Sequence, residues 1–450
     1  MALCGGSLKR VLCNQKRLRR FGWRRDFGMR RTVINCLLMG VLLIAGVAFS
    51  SCRERLLVRG TPQMGIEPRF WVRVLLADDV ERCTMQIHGG FSVLSGDAET
   101  LVPETIFIER GVPMNVWLSG GELIIAGRSF AASELTILPD NPYIFTFDGN
   151  DYRGKLTLRA NDDGLSFDAI NVVPLEPYLA GVVGAEMPDY WQSEALKAQA
   201  IAARTYCLFN KLKFGSRRHW DVTRTQASQV YLGLRAESPR VWEAVNDTLG
   251  QVLVCRQDSG AEEVFPTYYS STCGGHTEDA KNVFGDTFGP LCGVDCPYCR
   301  DVARPNIFFW PIVQFDKAEV TTALQQKYPQ LKELGDITRI EPAKQSDYND
   351  FSRLTMVKLT GSTGRSEFIR AEDLRLTIDP TGSRLRSTSC RIITMDGPAK
   401  TSTWAFIDGR GFGHGVGLCQ CGAEGMARKG KTAEEILSHY YPGAKQTRAY

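Results

Sequence analysis

The sequence predicts an α+β fold, in which a β-rich N-terminal lobe precedes a core of mixed helices and strands. In residues 69–165, short apolar runs such as Phe70–Leu76 and Leu123–Ala126 are separated by Gly, Asp and Asn. From residue 166 to residue 450, helical patterns and strand-like segments follow one another in an irregular order. Such an order favours α+β over a strictly alternating βαβ fold. The composition, with 43% hydrophobic and 23% charged residues in 450, is that of a globular protein.

Residues 1–52 are predicted to be a basic cytoplasmic tail followed by a membrane anchor or an export signal. Residues 1–31 contain ten Lys and Arg against one acid, Asp26, and Thr32–Phe49 is apolar and uncharged. A spanning helix needs about 20 apolar residues, so this run is at the short end. Lys and Arg before it predict a cytoplasmic N-terminus. Small residues before Cys52 leave three alternatives open: an uncleaved anchor, a lipidated Cys52, and a cleaved signal.

The charge distribution indicates where the rest of the chain works. The first 31 residues have a net charge of +9, which leaves −5 of the total +4 for the remainder. A slightly acidic body has no electrostatic footprint for nucleic acid, and we predict no nucleic-acid partner. We expect residues 53–68, rich in Gly and Pro, to be a linker. The body should then lie outside the cytoplasm, in the cell envelope, held at the membrane by the N-terminal segment.

Capping signals and periodicity place the main elements of the core. Helices are predicted from Ser193 to about Lys213, from Ser238-Pro239 to Leu249, from Asp316 to Tyr328, and from Thr432 to before Pro442. The strands are predicted at Gln251–Cys255, Val264–Tyr269, Arg353–Leu359, Arg391–Met395 and Thr403–Asp408.

Glu186 lies on the apolar face of a predicted helix in the segment VPLEPYLAGVVGAEMP, residues 173–188. It follows Val182 by four residues and Tyr178 by eight, and Pro188 places it in the last turn. Partial burial and the negative end of the helix dipole both disfavour the carboxylate form. A glutamic acid of this kind can donate a proton near neutral pH. The alternative is a structural Glu186 that pairs with Lys197 or Arg204.

Two Cys-containing motifs predict a metal site. Cys273-Gly-Gly-His276 is followed about twenty residues later by Cys296-Pro-Tyr-Cys299, a spacing typical of structural zinc. Thiolate and imidazole ligands suit this ion, and four protein ligands leave no open position for catalysis. Two alternatives stay open, a redox dithiol at Cys296–Cys299 and disulfides, since ten of the fourteen cysteines lie in the body.

A third motif, residues 409–417, is dense in glycine and contains His414. It lacks the third glycine of a dinucleotide fingerprint and the Lys-Ser/Thr of a P-loop. Its glycines let the backbone approach a ligand closely. A packing loop is the alternative, and an extended sugar polymer is the ligand that we expect.

Together these segments resemble the SpoIID/LytB family, the sporulation stage II protein D and amidase-enhancer group. The resemblance rests on residues 173–206, on YYSSTCGGHTEDA at 268–280, and on residues 409–443, which span most of 170–445. It implies a SpoIID-like catalytic core and a peptidoglycan lytic transglycosylase with Glu186 as its acid/base. Members often have His where this chain has Ser270, and an aromatic residue where it has Cys421.

The implied reaction needs a single carboxylate. Hydrolytic glycosidases usually use two, whereas a transglycosylase uses the C6 hydroxyl of its own substrate as the nucleophile. Asp189 and Glu278 are weak candidates for a second acid. The expected substrate contacts are Ser271, Thr272, Gly274, Gly275, His414 and Gln420.

Two other functions compete with this one. The amidase enhancers of the family suggest a peptidoglycan-binding protein that stimulates a separate cell-wall amidase. A zinc- or dithiol-based oxidoreductase is the third hypothesis.

Overall fold

The computed structural model describes residues 70–87, 89–95, 102–106, 112–131, 133–140, 142–257, 260–396 and 402–450. The predicted tail, the apolar segment 32–49 and the linker 53–68 lie outside these residues. Within them, helices and strands are mixed, as the α+β prediction requires. No helix in this part of the chain is long and apolar enough to cross a bilayer.

The first described part is built from strands. They are β1 Trp71–Val80, β2 Arg82–Ile87, β3 Phe91–Ser95, β4 Val102–Ile106, β5 Met114–Ser119, β6 Glu122–Ile125, β7 Arg128–Phe130, β8 Glu134–Pro139, β9 Ile144–Phe147, β10 Asn150–Arg153, β11 Lys155–Ala160 and β12 Phe167–Pro174. In several strands, such as β2 and β8, buried residues alternate with more exposed ones, because one face of each sheet covers the core.

These strands form two sheets. A seven-stranded sheet has the order β13-β1-β12-β11-β8-β3-β4, in which β13 is Val222–Thr223, and a six-stranded sheet has the order β10-β9-β2-β5-β6-β7. Strand β12 pairs with β1 and β11 and leads directly into the first helix of the core. The β-rich part and the helices share one hydrophobic cluster. The larger sheet is therefore the support on which the first helices are packed.

Nine helices follow in the described residues: α1 Leu175–Glu186, α2 Ser193–Phe214, α3 Pro239–Asp247, α4 Ala280–Val283, α5 Pro305–Phe308, α6 Lys317–Lys327, α7 Ala371–Ile378, α8 Gln420–Arg428 and α9 Ala433–Tyr440. The caps follow the predictions. The Ser238 side chain accepts from the Val241 amide at the start of α3, and Thr432 and Glu435 form a capping box at α9.

Most of the remaining strands are short, and the two long ones belong to a second hydrophobic cluster. The remaining strands are β14 Gln251–Arg256, β15 Glu262–Val264, β16 Tyr269–Ser270, β17 Phe309–Trp310, β18 Val313–Asp316, β19 Ile337–Asp347, β20 Ser352–Gly361, β21 Ser366–Arg370, β22 Arg391–Asp396, β23 Ser402–Ile407, β24 Gly409–Arg410, β25 Leu418–Cys419 and β26 Lys445–Arg448. The prediction of one continuous strand at Val264–Tyr269 was wrong in the middle of this segment. Pro266 has no amide hydrogen for a ladder, and the chain is strand only at its two ends.

Residues 310–407, which we call the inserted unit, have a hydrophobic core of their own. Two three-stranded sheets, β19-β20-β21 and β18-β23-β22, pack there with α6 and α7. Where the unit begins and ends, β17 pairs with β24 in antiparallel fashion, Phe309 opposite Arg410 and Trp310 opposite Gly409. The chain therefore leaves the core and returns to it at one place.

Candidate active site

Glu186 is the last residue of α1, a helix with an almost wholly buried surface. Met187 leaves the helix with φ −129° and ψ 142°, because a residue before proline disfavours helical backbone. The Glu186 side chain is partly buried at the carboxyl end of the helix. The sequence prediction of a glutamate in the last turn is confirmed.

Three neutral groups surround the Glu186 carboxylate. The Val230 amide donates to Oε1 at 2.8 Å, and the Gln420 side-chain amide donates to Oε2 at 3.3 Å. Burial raises the pKa of Glu186, and hydrogen bonds from Val230, Gln420 and Tyr269 lower it by less than burial raises it. The pKa of the Glu186 carboxyl is therefore closer to neutral pH than that of a solvated glutamate. Hydrogen-bond donors are nevertheless in place for its charged form.

The two cations that the structural alternative pairs with Glu186 have other partners. Lys197 Nζ lies 3.1 Å from both Glu194 and Asp247, and Arg204 forms bonds of 2.9 and 2.7 Å to the two Glu176 oxygens. Among the described residues, no salt bridge involves Glu186. The structural alternative for Glu186, a charge that ends its helix in an ion pair, is thereby contradicted.

Four buried cysteines form a cluster beside this site. The sulfur atoms of Cys273, Cys296, Cys299 and Cys419, which we call the thiol cluster, all lie within 4.8 Å of one another. Cys273 and Cys299 are 3.8 Å apart. Two sulfur ligands at about 2.3 Å from a tetrahedral zinc would be separated by roughly the same distance. The cluster has the donors and the size to hold a metal ion.

Hydrogen-bond donors already point at two of these sulfurs. Cys419 Sγ accepts from the Cys273 amide at 3.2 Å and from the Gly422 amide at 3.4 Å, and the Tyr440 hydroxyl lies 3.1 Å from Cys296 Sγ. Donors of this kind stabilise thiolates and orient metal ligands. These donors fit thiolates that ligate a cation, since burial by itself raises the pKa of the Cys273 and Cys419 thiols.

His276, the predicted fourth ligand, is not in the thiol cluster, and Cys419 takes its place. The His276 Nδ1 lies 2.6 Å from the Thr277 carbonyl, and its ring stacks on Tyr348 at 4.1 Å. Strand β16 runs parallel to β25, with Ser270 opposite Cys419, and this pairing brings Cys419 to Cys273. Spacing rules missed Cys419 because this contact is formed between distant parts of the chain.

The segment around the Cys273–His276 motif and the glycine-rich motif at 409–417 run side by side. Thr272 and Phe412 exchange backbone hydrogen bonds of 3.0 and 2.8 Å. Gly274 and Gly275 have φ of 85° and 127°, which glycine alone adopts easily, and they lie against Arg410 and Phe351.

The six expected substrate contacts have different surroundings. Gln420 bonds to Glu186, whereas Thr272 is fully buried with its hydroxyl donating to Cys421 Sγ at 3.2 Å. Ser271 accepts from the Cys421 amide at 3.0 Å through its carbonyl. His414 Nδ1 accepts from the Val416 amide at 3.0 Å, and burial lowers the pKa of His414 to about 4. In this structure, the buried Thr272 side chain therefore contributes to the packing between the two segments.

Neither weak candidate for a second acid bonds to Glu186. Glu278 is buried and bound by the Tyr348 hydroxyl at 2.8 Å, by Ser346 at 3.0 Å and by the Asn282 amide at 2.9 Å. Asp189 is exposed. Sequence analysis assigned no role to two residues that act on Glu186: Val230, which lies in a loop, and Tyr269, which lies in β16 within the motif at 268–280.

Comparison with known proteins identifies the family of this chain. The family model described as SpoIID, stage II sporulation protein, matches residues 163–255. A protein of Brachyspira hyodysenteriae, itself uncharacterized, is 34% identical over 301 residues, which cover 66% of this chain and 73% of that relative. The chain belongs to the SpoIID/LytB family.

Two relatives with descriptive names lie within the SpoIID/LytB family. The amidase enhancer of Bacillus subtilis is 25% identical over 389 residues, 80% of this chain and 53% of the relative. Stage II sporulation protein D of the same organism is 29% identical over 317 residues, 66% of this chain and 82% of the relative. The chain thus spans about half of the amidase enhancer and most of the sporulation protein.

Proposed function

We propose that this protein is a peptidoglycan lytic transglycosylase that cleaves the bond between MurNAc and GlcNAc. The observation that supports this best is Glu186, a partly buried carboxyl with raised pKa, with neutral donors on both oxygens and, within the described part of the chain, no cation paired to it. Such a group can exchange a proton in both directions. The family relationship is consistent with the assignment.

The reaction uses Glu186 twice. In its acid form, Glu186 gives its proton to the glycosidic oxygen, and the C1–O bond breaks with the electron pair going to that oxygen. The carboxylate then takes the proton of the MurNAc C6 hydroxyl, whose oxygen forms a bond to C1. A 1,6-anhydro ring results, Glu186 is protonated again, and no water is consumed. Because the nucleophile belongs to the substrate, its effective molarity is high and no second carboxylate is required.

Glu186→Gln tests this assignment, because glutamine keeps the shape of the side chain and cannot donate a carboxyl proton. Purified sacculi are digested with each protein, and mass spectrometry detects muropeptides with 1,6-anhydroMurNAc ends. We expect such ends with wild type and with Glu243→Gln, which changes an exposed glutamate of α3. Anhydro ends at the wild-type rate with Glu186→Gln would refute the catalytic role.

A second candidate is a peptidoglycan-binding protein that stimulates an amidase. It is supported by the relative named amidase enhancer, which matches 80% of this chain. This candidate predicts that wild type releases no anhydro ends from sacculi, but increases the release of stem peptides by an added cell-wall amidase. The same digests, with and without amidase, distinguish the two functions.

The thiol cluster holds zinc in this proposal. Four thiolates match the preference of this ion for soft ligands in tetrahedral geometry, and the four protein ligands make the site structural. Zinc would supply a cross-link between the loop of Cys273, the segment Cys296–Cys299 and the start of α8. Since Gln420 follows Cys419 directly, this cross-link would also hold Gln420 beside Glu186.

The place of action follows from the substrate. Peptidoglycan lies outside the cytoplasmic membrane, so the body is exported, with Thr32–Phe49 as the segment that directs it there. Protease treatment of spheroplasts should degrade the body. Its protection in intact spheroplasts would contradict an exported body.

A further inference from the structure

Behind Glu186 lies a buried glutamine, Gln229, that binds three groups. The side chain is fully buried, and its Oε1 accepts from the Tyr178 hydroxyl at 3.0 Å. Its Nε2 donates to the Ala203 carbonyl at 3.2 Å and to the Tyr269 hydroxyl oxygen at 3.0 Å. In such a position, each broken hydrogen bond would leave a polar group without water as a substitute.

The Ala203 carbonyl determines which way the Gln229 amide faces. A carbonyl can only accept, so the atom 3.2 Å from it must be the amide nitrogen. The amide oxygen then faces Tyr178, whose hydroxyl has to donate. The Tyr269 oxygen accepts from the same nitrogen, and its own proton is therefore not used toward Gln229.

Glu186 is the acidic partner of Tyr269. Hydrogen bonding from Tyr269 lowers the pKa of Glu186, and the Glu186 charge in turn contributes to the raised pKa of Tyr269, after burial. We propose that Gln229 is a positioning residue, which holds the Tyr269 hydroxyl with its proton toward Glu186. The role of Gln229 in catalysis rests on the proposed function. The direction of the Tyr269 hydrogen bond does not depend on it.

The fixed direction of the Tyr269 hydroxyl serves both proton transfers of the reaction. When Glu186 is an acid, Tyr269 does not compete with the substrate oxygen for its proton, because the tyrosine is held as a donor. When Glu186 is a carboxylate, the same O–H stabilises its charge, together with Val230 and Gln420. No step requires Gln229 to touch the substrate.

The other titratable groups near this chain of hydrogen bonds are tyrosines and a cysteine. Tyr206 and Tyr441 face Tyr269, and Tyr206, Tyr231 and Cys207 face Tyr178. Burial raises the pKa of all four. They therefore stay neutral across the range in which Glu186 titrates, and a change in the Glu186 titration reports on its hydrogen bonds.

The test is a titration of Glu186 in the full-length chain by carbon NMR of labelled glutamate carboxyls, with Glu186→Gln identifying the signal. Gln229→Leu removes the donor that orients Tyr269, and Tyr269→Phe removes the hydroxyl itself. In both variants the carboxylate loses stabilisation, so we expect the pKa of Glu186 to shift upward from the wild-type value. In Tyr269→Phe, adding Gln229→Leu should produce no further shift, since Gln229 acts through Tyr269.

Two matched controls distinguish positioning from a general effect on the fold. Gln199→Leu changes another fully buried glutamine, whose amide has no hydrogen-bond partner among the described residues, and should leave the titration unchanged. Tyr178→Phe should also leave it unchanged, because the Ala203 carbonyl still fixes the amide. If Gln229→Leu does not fold, Gln229→Met replaces it, and the same upward shift is expected, because methionine fills a similar volume but has no amide to orient Tyr269.

The outcomes separate this inference from the proposed function. An unchanged Glu186 titration in Gln229→Leu, or an equal shift in the Tyr269→Phe background, overturns the positioning role. Where the predicted shifts occur but wild type releases no anhydro ends from sacculi, the transglycosylase proposal fails and the positioning role stands. Where both hold, the alkaline limb of the cleavage rate should move to higher pH in Gln229→Leu, because the acid form persists further.

Discussion

The side-chain amide of Gln420 donates to Oε2 of Glu186 across 234 positions of sequence, at 3.3 Å. Gln420 begins α8, and the residue before it, Cys419, is a member of the thiol cluster. The site of the proposed acid and the thiol cluster therefore meet at one peptide bond. The first prediction uses this link.

Zinc should depend on Cys419 and not on His276. We expect Cys419→Ser to lose stoichiometric zinc, because three thiolates remain, and to lower the melting temperature, because metal binding stabilises the folded state. His276→Ala should keep its zinc. Elemental analysis of the purified chain measures both, and Cys292→Ser, which changes an exposed thiol, is the control. Zinc loss in His276→Ala with retention in Cys419→Ser would restore the ligand set predicted from sequence spacing.

The buried pair Arg204–Glu176 should dominate the stability of the helical core. Arg204 is fully buried, and its removal leaves the Glu176 carboxylate in the interior with Tyr450 as a remaining partner. We expect Arg204→Met to lower the free energy of unfolding by about 3–5 kcal/mol. Urea titration followed by circular dichroism measures this change.

An exposed ion pair provides the comparison for Arg204. Arg365 and Glu333 are 2.7 Å apart with side chains 67% and 71% exposed. Arg365→Met should cost less than about 1 kcal/mol, since solvent screens such pairs. Equal losses in the two variants would show that burial does not determine the contribution of Arg204.

His414 should make the protein less stable in acid. Burial lowers its pKa from 6.5 to about 4, so between these values the unfolded chain binds a proton that the folded chain does not. The free energy of unfolding should therefore fall as the pH falls from 6.5 to 4, by up to about 3 kcal/mol relative to His414→Gln. Urea titrations of both proteins at several pH values test this. Parallel pH profiles would mean that His414 titrates normally in the folded state.

Local signals in the sequence were sufficient to predict where Glu186 and the helices lie. Glu186 was found because an apolar repeat and Pro188 fix both its face and its position in the helix, and these are properties of adjacent residues. The helix Ser193–Phe214 and the capping box at Thr432 are local in the same sense. The structure confirmed where these residues lie, whereas the catalytic role of Glu186 stays a prediction.

Features that depend on distant contacts were not predictable in this way. Cys419 reaches Cys273 through a parallel pair of two-residue strands, and Gln229 reaches Tyr269 from a loop. Neither contact produces a periodic pattern in the sequence. The separate core of residues 310–407 was missed too, because its strands and helices have the same periodicity as the elements around them.

The antiparallel pair of Phe309 and Trp310 with Gly409 and Arg410 closes the inserted unit at its base. Since the gap between the two ends is set by this pair, residues can be gained or lost inside the unit while the thiol-bearing and glycine-rich loops keep their spacing. Closing a longer loop adds only a small entropic cost. The side chains that reach back from the unit are constrained, among them Arg353, which donates to the Cys273 carbonyl at 2.6 Å, and Tyr348, which donates to Glu278 at 2.8 Å. We therefore expect relatives to differ in the length of the unit more than at anchoring positions such as these two.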